Sequence, residues 1–236
     1  MGNPLINFPF DLFSLSNSLE HIFTSNFRLC CPNLFPILTK EISCFTPYNT
    51  FPSCTTLLPT ELYRIFFWNI GVFAVIGNSI TFMASRAFIN VLGRNFMMLI
   101  VHLHVAYFCM GSHVAFLLSA NHIYYGKYNH FEQTWTKSVT CKLAGFLCYL
   151  SCIVSVLMIW FITLYHSIVL CFPDLSQRLS TCLTHVCALM WAVGGLLALV
   201  PFLPGLSHWG LQGQSGLCRL TLADHHRSDQ HLPWFT

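Results

Sequence analysis

Twelve cysteines and twelve histidines among 236 residues are the side chains of widest chemical reach here, because thiolate and imidazole act as nucleophiles, bases and metal ligands. Metal binding needs three or four such groups converging on one point. His102 and His104 are two apart and point in different directions on a helix. His225 and His226 adjoin near the C-terminus, where no Cys-x-x-Cys completes a tetrahedral set. Cys148 and Cys152 share a helix face, but in an uncharged stretch they read as small packing residues. No Ser-His-Asp order, glycine-rich phosphate loop or His-Glu-x-x-His pattern occurs. The expectation is a chain that is not an enzyme and uses neither cofactor nor metal. The chemistry left to its cysteines is oxidation to disulfides, which depends on where the elements put them.

Those elements are set by hydropathy. The chain is 55% hydrophobic and 8% charged, with a mean hydropathy of +0.60. Soluble domains carry about 25% charged residues, so this composition belongs to the membrane class. A net charge of +3, scattered along the chain, implies neither nucleic acid nor an acidic substrate. Between Lys142 and Asp174 there is no Asp, Glu, Lys or Arg, and Leu143 to Leu164 is long enough to cross a hydrocarbon core of about 30 Å. Three more uncharged stretches are expected to span: Ile65 to Ser85, Phe96 to Ala120, and Cys182 to Leu203, where Pro201 and Pro204 discourage continuation. Asn78 lies inside the first, and an amide at that depth needs a partner on another helix or on its own. No Asp, Glu, Lys or Arg sits within the spans, which weakens a transporter or proton-relay reading. A four-span structural protein would have a large loop between the third and fourth spans, and here that loop is short.

Outside the spans, residues 1–60 are rich in Phe, Pro, Ser and Asn, which predicts loops and short elements. Cys30, Cys31, Cys44 and Cys54 allow three pairings, and free thiols are the alternative. The first residues lack a basic, then apolar, secretory pattern; Ile6 breaks a myristoylation motif, and no glycosylation sequon occurs. Lys and Arg in the loops do not decide orientation. With four spans, however, the N-terminal segment, the polar 121–141 loop with Trp135, and the tail share one face. That face carries Cys30, Cys31, Cys44, Cys54, Cys141 and Cys218, an even set suited to an oxidising exterior.

From about Leu19 to Leu220 the chain resembles the rhodopsin-like G-protein-coupled receptors with leucine-rich ectodomains, and among them the relaxin receptors. LEHIFTSNFRLC looks like a last leucine-rich unit running into a cysteine hinge. GNSI with Asn78 matches the first helix, and YGKYN with Gln133, Trp135 and Cys141 matches the first outer loop and third-helix start. WAVGGLLALVPF with Trp191 and Pro201 matches the fourth helix, and GLQGQSGLC with Cys218 the second outer loop. The resemblance implies a Cys141–Cys218 disulfide and structural anchor roles for Asn78, Trp135, Trp191 and Pro201. It implies a peptide hormone of relaxin type and a heterotrimeric G protein as partners, at the plasma membrane with the N-terminus extracellular; retention in the endoplasmic reticulum is the alternative.

Departures from the pattern carry their own expectations. Tyr107 stands where the family has a sodium-linked Asp, and Ile153 where a third-helix Glu is expected. Tyr165, His166 and Ser167 replace the acid, basic residue and aromatic that face the G protein. Helices five to seven and the leucine-rich array have no counterpart. The expected architecture is an all-α membrane protein with four transmembrane helices of a seven-helix bundle. Residues 1–60 form an extracellular cysteine-containing segment, 61–205 the partial transmembrane domain, and 206–236 a tail like the second outer loop. Weak or no autonomous signalling is expected, the alternative being a truncated, non-signalling partner of full-length receptors in the membrane.

Overall fold

The computed structural model describes residues 21–23, 31, 43–45, 54–58, 60–203 and 216–218. Cys30, Pro204, His225 and His226 lie outside the described residues. Ahead of the helices, β1 (His21–Phe23) pairs in parallel with β2 (Ser43–Phe45), with Ile22 opposite Cys44. This short ladder is the only strand structure among the described residues of an otherwise helical chain.

Four helical units follow that are long and apolar enough to cross a membrane: Glu61–Ser85, Arg94–Ile123, Val139–Cys171 and Gln177–Phe202. The first is α1 (Glu61–Val72), a π-turn over Phe73–Gly77, and α2 (Asn78–Leu92). It starts before Arg64 because Thr60 caps it, accepting a hydrogen bond from the Tyr63 N–H at 3.3 Å. The second is α3 (Arg94–Ile123), preceded by Gly93, whose φ of +81° turns the chain back toward the membrane. The polar connection after α3 is not a plain loop: Tyr128–Lys137 form a helix, α4. Its apolar residues lie on one side, so a polar average hides an amphipathic helix. The third span, α5, runs Val139–Cys171, four residues earlier than the uncharged stretch begins, because Ser138 caps it by accepting from the Cys141 N–H. The fourth, α6 (Pro173–Leu199), tightens into a 3-10 turn at Val200–Phe202 around Pro201.

Lipid is as apolar as a leucine side chain, so these helices are held by close packing and interhelical hydrogen bonds. The second span is the hub, lying against the first and third spans and touching the fourth. Gly194 lets α6 close on α5: a Cβ there would sit 2.5 Å from Val154 Cγ2. Ser151 Oγ donates to the Ala106 carbonyl at 2.7 Å, and His113 Nδ1 donates to the Ala144 carbonyl at 2.9 Å. Leu99, Val154, Met158, Phe161, Leu183 and Cys187 fill the far half of the bundle. Cys148 and Cys152 do not share an environment as their spacing implied. Cys148 is buried between helices and Cys152 faces outward, because four residues turn a helix by 400° and this interface is narrow.

Candidate functional site

One end of the bundle is closed by a cap assembled from four separate parts of the chain. Cys141, in the first turn of α5, is joined to Cys218, with Cα atoms 5.4 Å apart. Trp135, in the last turn of α4, is buried and donates its indole N–H to the Gly216 carbonyl at 2.7 Å. The returning segment lies directly on α5 because residue 145 is glycine: a Cβ there would sit 2.5 Å from the Cys218 carbonyl oxygen. Gly216 is similarly closed in by the Tyr128 hydroxyl and Leu57.

The N-terminal segment is the fourth part. Cys54 is joined to Cys31 and offers its carbonyl to the Asn129 N–H at 3.2 Å, and the Thr55 carbonyl accepts from the Tyr128 N–H at 3.5 Å. The Leu58 N–H donates to Asn121 Oδ1 at 3.0 Å, a buried bond to the end of α3. Leu57 packs with Leu117, Ala120, Tyr128, Trp135 and Cys141, while Leu58 packs with Val114 and Leu118. Residues 54–58 are therefore built into the bundle end. Burial pushes the Tyr128 phenol above its ordinary range, and the Glu132 carboxylate one turn on pushes it further.

Within the first span, Asn78 bonds both to its own helix and to α3. Its Nδ2 donates to the Ala74 carbonyl of its own helix at 2.6 Å, which turns Oδ1 toward His104 Nδ1, 2.7 Å away on α3. That orientation makes His104 the donor through Nδ1. Tyr107, one turn further along α3, is partly buried, with no hydrogen bond to another described residue. At the far end Tyr165 is buried among Phe161, Leu99 and Leu183, and its hydroxyl accepts from Asn95 Nδ2 at 3.4 Å. His166 lies beside the Phe96 ring, and Ser167 bonds back to the Thr163 carbonyl within α5. Trp191 packs against the far-half core with its indole N–H buried and unbonded, and Pro201 is buried in the closing turn of α6.

No family model matches the chain. It is 31% identical over 219 residues to a G-protein coupled receptor named GRL101 from Lymnaea stagnalis, covering 92% of this chain and 19% of that receptor. It is 32% identical over 206 residues to human relaxin receptor 2, covering 85% of this chain and 26% of the receptor. This chain is a homologue of the relaxin-type G-protein-coupled receptors. Human relaxin receptor 1 follows at 29% identity over 203 residues, with the same two coverages. The chain spans about a quarter of the length of these relaxin receptors. As a homologue of such receptors it is a receptor-like, multi-pass membrane protein with disulfide bonds.

Sequence reasoning missed the residues that knit the cap. Asn121 and Leu58 are 63 positions apart, and neither sits in a motif. Tyr128 was visible only inside the YGKYN match, with no role assigned to it, and Glu132 only as a member of a polar connection. The available signal was the apolar phase of α4, which places Tyr128 and Trp135 seven residues apart on one helix side.

Proposed function

We propose that this receptor-like protein recognises a peptide hormone of relaxin type at its capped end and has weak or no autonomous G-protein signalling. The observation that carries the reading is the cap itself, which joins the N-terminal segment, the connection after the second span, the third span and the Cys218 segment into one buried unit. In this reading residues 1–60 are an extracellular hinge-like segment, 61–205 the membrane part and 206–236 the segment closing over it. The capped end faces outward, at the plasma membrane. In support, the described disulfides lie at the capped end, while the described free cysteines all lie within the spans.

Silence is supported at the residues where a charge-based switch would act. Tyr107 cannot hold a cation as a carboxylate does. Tyr165 is buried and bonded to Asn95, so a tyrosine–amide contact ties the far end of the third span. The test is expression of the chain alone in cells given a relaxin-type peptide, with peptide binding and cyclic nucleotide both measured. Saturable binding without a cyclic-nucleotide rise is expected, and a saturable rise overturns the silence.

A second reading, a partner for full-length receptors, is favoured by the first span, where 6% of the apolar window is buried against 28% in each other span. Co-precipitation with a relaxin receptor that weakens when Leu62, Ile65 and Phe66 are changed to alanine would support it; unchanged capture would count against it.

A further inference from the structure

Among the described spans, the first is the one interrupted in its interior by a change of helical register. Phe73–Gly77 form a π-turn, which holds one residue more than an α-helical turn and is often found at functional positions. The irregularity is compensated at its C-terminal end. The Asn78 backbone N–H bonds to the Val75 carbonyl, and the Asn78 side-chain amide takes the Ala74 carbonyl instead, at 2.6 Å. Ser79 Oγ adds a second bond to Val75 at 2.6 Å. In a regular helix the Asn78 N–H would return to the Ala74 carbonyl and release the side chain. Both registers thus leave the Ala74 carbonyl satisfied, which membrane interiors require, so neither is excluded. What distinguishes them is the other end of the Asn78 amide, held by His104.

The surroundings are arranged to match. The second span accommodates the widened turn at Gly111, where a Cβ would sit 2.8 Å from Val75 Cγ2. On the capped side, α1 is anchored: Gly71 lies against Val114 and Leu118, and Phe67 packs with both clusters beneath residues 57 and 58. Beyond the turn, Asn78–His104 is the one side-chain hydrogen bond described between α2 and α3.

We propose that Phe73–Gly77 is a register joint in the first span, latched in its widened form by the Asn78–His104 bond. Releasing the latch lets the span become continuous α-helix. Taking the extra residue up into α-helical pitch rotates α2 against the anchored α1 by about 100°. A disturbance of the second span at His104 is thereby converted into rotation of the far half of the first span. This holds whether or not the chain signals.

The test uses the full chain in lipid nanodiscs, with the free cysteines replaced by alanine and spin labels placed singly along residues 62–70 and 79–85. Collision with dissolved oxygen reports which side of the helix faces lipid. In the parent protein, positions 80 and 83 should be collision maxima, as Ile80 and Met83 are exposed. Asn78→Ala and His104→Leu should each move the 79–85 pattern by about one position while 62–70 keeps its phase. Deleting Ile76 removes the extra residue itself, so 62–70 and 79–85 should both keep the parental phase as one continuous α-helix, and adding Asn78→Ala to the deletion should leave that phase unchanged. The proposal is overturned if the latch variants keep the parental phase. It is equally overturned if they, or the deletion, abolish the pattern at 62–70 as well, since the turn would then be a folding requirement and not a joint.

Discussion

Trp135 shows how one side chain can combine packing with a directed bond. Its ring fills the cap cluster, and its N–H holds the Gly216 carbonyl. Trp135→Phe keeps most of the ring and leaves a buried carbonyl short of its donor, so a loss of about 1–2 kcal/mol is expected. Trp135→Ala also opens a cavity and should cost about 3–5 kcal/mol. Thermal unfolding in detergent, read as loss of the folded helical signal, separates the two. Tyr128 gives a prediction in pH. Its phenol is held above the ordinary value of about 10 by burial and by Glu132, so the folded state keeps a proton that the unfolded state gives up. The stabilisation is complete below pH ~10 and is lost as pH rises beyond it toward the folded value. Alkaline unfolding should therefore steepen above pH ~10, and Tyr128→Phe should remove that part of the slope.

Among the elements, α5 depends most on how it begins. Ser138 caps its first turn, and Cys141 in that same turn carries the disulfide. Ser138→Ala should cost about 1 kcal/mol and slow formation of the Cys141–Cys218 bond, seen as a larger reduced fraction on a non-reducing gel. Gly145→Leu should do more, because any side chain there meets the Cys218 carbonyl. That variant should trap the chain with free thiols at Cys141 and Cys218 while the four spans still insert. The same element shows why α4 escaped a reading by hydropathy. A 10-residue helix with seven polar residues has no signature of length, and its existence rests on tertiary burial of one side.

At the scale of the molecule, the two disulfides among the described residues and the buried residues 57 and 58 make the capped end one unit, whereas the described far end is joined by packing and neutral hydrogen bonds. Reducing both disulfides should loosen the cap by about 2–4 kcal/mol per bond, so protease cleavage between residues 54 and 60 should appear before any cleavage in the spans. The four spans could be read directly from residue order, because a run of about 20 residues without charge has few other stable fates. The resemblance carried by Asn78, Trp135, Cys141, Trp191 and Cys218 was equally legible, being local in each case. Pairing of Cys31 with Cys54 was one of three choices in the sequence. The bonds from Asn121 to Leu58 and from His104 to Asn78 join residues 63 and 26 positions apart. Membrane insertion follows from the sum of local transfer free energies, which residue order contains. Which polar groups meet inside the bundle follows from helix rotation and close packing, and those exist only once the spans have assembled.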